Sequence, residues 1–161
     1  MSKPEDSMTS RTAAWVTGAV LVCLALPAAA LLAAWMLFDV SDARPGWPAY
    51  YLGVPASIRS ATGTLEECRP ARFRWKGRDG LGVPFVVMVY GSRLEPEQAL
   101  ARHAASLRPL ACRLDTDRAA VSGAPNVLPL RCEHPDVAEA DIQVEGAGPC
   151  REVSVGFVLN D

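Results

Sequence analysis

Outside the apolar N-terminal run, which holds Cys23, six Cys and His residues could carry chemistry: Cys68, Cys112, Cys132, Cys150, His103 and His134. Thiols do four kinds of work: nucleophilic attack, redox exchange, metal binding and cross-linking. A zinc site uses Cys pairs two to four residues apart or paired histidines. A thioredoxin-like site needs C-x-x-C. Here the closest cysteines, Cys132 and Cys150, are 18 residues apart. A nucleophilic Cys needs a free thiol and a base brought close by the fold. Four cysteines in one region read instead as two structural disulfides, which implies an oxidising compartment. Three pairings are open. Cys112–Cys132 closes the shortest convenient loop and leaves Cys68–Cys150.

The remaining chemical candidates are sparse. His103 falls at the edge of a helical apolar stripe, and His134 precedes Pro135 in a loop. No G-x-S-x-G, H-E-x-x-H or G-K-[ST] motif occurs. Glu133, Asp136, Glu139, Asp141 and Glu145 crowd one region without the spacing of a calcium loop, which makes a solvated acidic face. Gly77, Gly80 and Gly82 surround an Asp-Gly turn signal rather than preceding a helix, so they read as a hairpin and not a phosphate cradle. The expectation is a non-catalytic protein without metal or cofactor.

One pattern exceeds this background. In 68–76, Arg72, Arg74 and Lys76 alternate with Ala71, Phe73 and Trp75. Period two places the three cations on one face of a strand, about 6.6–6.8 Å apart. Charge is polarised along the chain. Residues 59–118 hold 11 Lys+Arg and 7 Asp+Glu, and residues 119–161 hold 2 and 7. The cationic stripe therefore awaits either the acidic half of its own domain or an anionic partner. The overall balance, 16 Lys+Arg against 18 Asp+Glu, excludes a chain-wide polybasic nucleic-acid binder.

Several elements must position these residues. Residues 13–38 form a run of 26 without a charge, and about 20 suffice to cross about 30 Å of hydrocarbon. Trp15 and Trp35 lie near its two ends, where indoles favour the headgroup layers. Pro27 sits mid-span, with Cys23 as a small apolar residue beside it. The alternative is a cleaved signal peptide, with Ala28, Ala29 and Ala30 as its small-residue site. A lipoprotein reading fails at Val22, where a small residue is needed before Cys23.

Lys3 and Arg11 precede the span, and only Arg44 follows closely, beside Asp39 and Asp42. The positive-inside rule puts residues 1–12 in the cytoplasm and the C-terminal part outside. Residues 39–58 are dense in Pro and aromatics and read as a semi-stiff connector. Its Trp47, Tyr50 and Tyr51 are candidates for contact with a partner or the membrane surface.

Residues 59–161 suffice for one core. The stripe strand comes first. Residues 83–90 are a continuous apolar run, which reads as a central strand buried on both faces. A helix from Pro96, with Leu100, Ala104 and Leu107 inward, ends at Pro109. Three further strands fall at 127–132, 140–145 and 153–159. The expected domain is α+β, a mainly antiparallel sheet with one covering helix in the order β-β-α-β-β-β.

The layout points to a single-pass protein of a bacterial inner membrane with a periplasmic or extracellular domain. Its expected work is that of an accessory, assembly or interaction subunit, held by the bilayer through 13–38 and partnered by another envelope protein. Alternatives are a binding module for an anionic ligand, lipid or envelope polymer, and an immunity-type protective protein.

Overall fold

The computed structural model describes residues 6–80 and 82–160. The chain divides into two compact units, Met1–Met36 and Leu37–Asp161. The first is built on helix α1 (Asp6–Phe38), rich in Ala and Leu, with Pro27 inside it. Every side chain from 15 to 36 is exposed, so this part of the helix hides no apolar face. By length and composition α1 is a membrane anchor or a signal sequence.

The second unit contains β1 (Asp39–Ala43), α2 (Pro48–Gly53), α3 (Ala56–Ala61), β2 (Glu67–Lys76), β3 (Phe85–Ser92) and α4 (Pro96–Ser106). A 3₁₀ turn (Arg108–Leu110), β4 (Cys112–Leu114), α5 (Thr116–Ser122), β5 (Val127–His134), β6 (Val137–Glu145) and β7 (Arg151–Leu159) complete it. The strands form one seven-stranded antiparallel sheet, ordered β1-β2-β3-β7-β6-β5-β4. The fold is α+β.

Alternation decides which face becomes core. Ala71, Phe73 and Trp75 on β2 point to the same side as Val86, Met88 and Tyr90 on β3. Val153, Val155 and Phe157 on β7 and Ala140, Ile142 and Val144 on β6 continue that side, and all are buried. Helix α4 closes it with Ala99, Leu100 and His103, assisted by Leu107, Leu110 and, from α3, Ile58 and Ala61.

The structure adds elements beyond the expected six. Residues 39–58, expected as a connector, supply β1, α2 and the start of α3, and bury Ala43, Val54 and Ile58. Proline starts these helices rather than forbidding them. Pro48 holds the first position of α2, where its missing N–H is not needed, and Pro55 precedes α3. Helix α5 starts at Asp115, whose carboxylate accepts from the Arg118 N–H at 3.1 Å, and stops at the left-handed Gly123.

The run at 83–90 requires a correction. Strand β3 is central, yet within the run only Val86, Met88 and Tyr90 are buried, while Phe85, Val87 and Val89 stay half-exposed. Central position in the sheet does not bury both faces of a strand. Among the described residues no layer covers β3 on the outer side.

Candidate interaction face

The outer side of the sheet assembles in register from four strands. Lys76, Phe85, Val158 and Glu139 lie in one row. Arg74, Val87, Gly156 and Asp141 form the next. Arg72, Val89, Ser154 and Gln143 form the third. None of these twelve residues is buried. Strands lie about 4.8 Å apart, so the basic flank on β2 and the acidic flank on β6 stand about 14 Å from each other. Between them runs an apolar strip of Phe85, Val87, Val89 and Val158, floored by Gly156. A shallow depression of about 300 Å³ lies at one end, lined by Arg74, Val89, Gln143, Glu145, Glu152 and Ser154.

The three cations of β2 do share this face, but they are not equivalent. Arg72 is hydrogen-bonded to Asp42 of β1, which holds the Asp42 carboxyl below its ordinary value. Lys76 is bonded to Asp79 in the hairpin, which raises the ammonium's pKa and lowers the carboxyl's. Arg74 has no ion-pair partner among the described residues. The acidic flank is also partly occupied. Arg118 of α5 reaches Glu139 at 2.8 Å and Asp141 at 3.1 Å. The edge of the face is closed there, where Pro129 of β5 is buried.

The aromatic candidates separate. Tyr50 packs edge-on against Phe73 with centroids 4.9 Å apart, and burial raises its hydroxyl pKa. It lines a cleft of about 510 Å³ on the inner side of β2, floored by Phe73 and Met88, with Arg44 and Glu67 among its charged lining. Trp47 and Tyr51 stay exposed, each with a guanidinium over its ring, from Arg44 at 5.6 Å and Arg59 at 5.5 Å.

The cysteines form disulfides Cys68–Cys150 and Cys112–Cys132. The first ties β2 to the segment before β7, and the second joins facing residues of β4 and β5. Cys23 is exposed on α1 and unpaired. His103 lies 1% exposed under the sheet, with its Nε2 2.7 Å from the Tyr90 hydroxyl. That hydroxyl also accepts from the Leu65 N–H at 3.3 Å. Burial pushes the His103 pKa down to about 4, so the ring is neutral at pH 7. His134 accepts from the Asp136 N–H at 3.1 Å in the β5–β6 turn. Gly80 adopts φ +58° and the Gly82 N–H donates to the Asp79 carbonyl, so the Asp79-Gly80 signal serves a turn and not a phosphate cradle. No group of three or more His, Cys, Asp or Glu that could hold a metal ion occurs among the described residues.

Phe85, Val87 and Val89 are the members of the face that the sequence pattern assigns to the core. A signal for them existed. The strand flanking each side alternates apolar with polar residues, so its polar side lies on a wet face, and β3 shares that face.

No family model matches the chain, and neither a curated protein nor a solved structure does.

Proposed function

We propose that this protein is a single-pass, membrane-anchored accessory subunit of a bacterial envelope that docks a partner protein on the outer face of its sheet. One observation carries the reading. An in-register apolar strip stands uncovered beside Arg74, a cation without an ion partner among the described residues. Sheet faces that bury apolar side chains against a second layer are the usual way such strips are stabilised. The partner has an apolar patch with a carboxylate opposite Arg74. It is another protein of the same membrane.

Two disulfides support an oxidising location for the second unit. Lys3 and Arg11 ahead of the apolar run support a cytoplasmic N-terminus in the inner membrane and a periplasmic or extracellular domain. The role is scaffolding rather than catalytic. The histidines support this, since one is engaged with Tyr90 inside the core and the other in a turn.

The test is copurification from mild detergent through a tag on the N-terminus. Three chains are compared: the full chain, a chain lacking residues 39–161, and Val89→Glu. Val89 points outward, so the charge leaves the core in place, which intact disulfides and a cooperative unfolding transition would verify. The expected result is a stoichiometric protein partner with the full chain only. Recovery of the same proteins with all three chains refutes the reading.

A second reading, a small-ligand binding module, is favoured by the cleft beneath Tyr50. Its mostly apolar walls, with Arg44 and Glu67 in the lining, suit a small amphipathic molecule. It predicts co-purifying small molecules that are lost when Phe73 or Met88 is enlarged.

A further inference from the structure

Helix α2 displays three apolar side chains that the core does not use. Trp47 is 51% exposed, Tyr51 57% and Leu52 72%. Trp47 precedes the helix, and Tyr51 and Leu52 come one turn later. A spacing of four puts Trp47 and Tyr51 on one side, and Leu52 is the next exposed residue along the chain. Arg44 and Arg59 stack over the two rings. Arg59 is held in place by donating to the Tyr51 carbonyl at 2.9 Å and to the Val54 carbonyl. Aromatic rings with cations beside them suit a surface that is apolar below and anionic above.

The packing of the second unit says where that surface is. Gly53, the last residue of α2, lies flat against Trp75. A Cβ placed there would come within 2.1 Å of the indole carbons Cε2 and Cζ2. The Nε1 of the same indole donates to the Leu37 carbonyl at 2.8 Å. Phe38 is held next to it, its carbonyl accepting from the Gly77 N–H at 2.8 Å. One indole ring therefore separates the end of α2 from Leu37. Asp39 is the first charge after the apolar run, so the chain leaves hydrocarbon at 37–38. The headgroup layer beyond that point is roughly 5–8 Å thick per leaflet. An indole spans about that distance.

We propose that Trp47, Tyr51 and Leu52 insert into the phospholipid headgroup layer of the membrane that α1 enters, with Arg44 and Arg59 on lipid phosphates. The nearness of Gly53 to Leu37 across the Trp75 indole and the paired guanidiniums identify lipid as the occupant. Trp and Tyr concentrate at this depth because one edge of each ring is polar. Basic groups beside them add attraction to anionic headgroups. Helix α2 is a second membrane contact of the chain, on a different surface from the sheet face.

The inference rests on the anchor half of the proposed function, and alkaline carbonate extraction tests that half separately. Release of the protein by carbonate overturns both. With the anchor retained, the full chain is reconstituted in phosphatidylcholine–phosphatidylglycerol vesicles. A background of Trp15→Phe and Trp35→Phe is compared with the same background carrying Trp47→Phe, and the difference isolates Trp47 emission. The expected result is blue-shifted emission that is lost when phosphatidylcholine brominated near the headgroup is included, and that resists aqueous iodide. Quenching by iodide and not by brominated lipid overturns the proposal. Protection from both quenchers also overturns it, because protein then covers Trp47.

Discussion

His103 should make the folded domain sensitive to mild acid. The ring is 1% exposed, and burial takes its pKa from the ordinary 6.5 to about 4. A group with a depressed folded pKa binds more protons in the unfolded chain. Its stabilising effect is complete above pH 6.5, falls as pH drops, and is gone below about pH 4. The shift of about 2.5 units corresponds to about 3 kcal/mol at 1.36 kcal/mol per unit. The limiting slope is about 1.4 kcal/mol per pH unit between those values. A domain of this size is stabilised by only about 5–15 kcal/mol in total, so the loss would be large. The assay is urea unfolding of the full chain carrying Trp15→Phe, Trp35→Phe and Trp47→Phe in detergent micelles, followed by Trp75 emission, from pH 7.5 to 4.5. His103→Gln is the comparison, since it keeps a polar group near the Tyr90 hydroxyl and does not titrate. The wild-type chain should lose stability across this window and the variant should lose markedly less. Every other titratable group is common to both chains, so the difference between the two slopes belongs to His103. Identical slopes would refute the argument, because His103 would then be free to protonate in the fold.

Three further outcomes follow from the packing. Breaking Cys68–Cys150, which closes a separation of 82 residues, should cost about 4–5 kcal/mol, against about 3 kcal/mol for Cys112–Cys132 with its separation of 20. Unfolding of the two Cys→Ser pairs tests the order. Gly53→Ala should destabilise by about 1–3 kcal/mol, because its methyl group would meet the Trp75 indole at 2.1 Å, and a changed Trp75 emission should accompany the loss. Arg118→Ala should cost under about 1 kcal/mol despite removing contacts to two carboxylates. The guanidinium is 39% exposed and solvent screens both pairs, so a larger measured loss would show the α5 edge to be better shielded than its exposure indicates.

Long-period patterns were the legible part of this chain. The uncharged run that became α1, the stripe of β2 and the helix from Pro96 each repeat one rule over many residues. Short elements carry little period. β1 has five residues and β4 three, and each exists because a neighbouring strand offers an edge to pair with. The prolines of 39–58 misled for a related reason. Proline is excluded from helix interiors but not from their first positions, and α2 and α3 are so short that first positions dominate them. Tyr50 and Tyr51 are adjacent in sequence yet went to opposite environments, since only contact with Phe73 separates them.

The candidate face shows the same division and changes what the stripe means. Alternation places Arg72, Arg74 and Lys76 together, and three neighbouring cations call for either the acidic half of the domain or an anionic partner. Their neutralising partners sit in β1 and in the β2–β3 hairpin, segments whose contacts no local pattern reveals. With Arg72 on Asp42 and Lys76 on Asp79, one cation is left to meet a partner. A polyanion would have to displace two local carboxylates, and each displacement forfeits a pair already made. A partner with one carboxylate displaces nothing. Its remaining contact would be apolar, with the strip from Phe85 to Val158, whose area counts more toward association than a single exposed ion pair. Partner binding should therefore weaken only modestly with added salt, whereas polyanion binding would collapse over the same range.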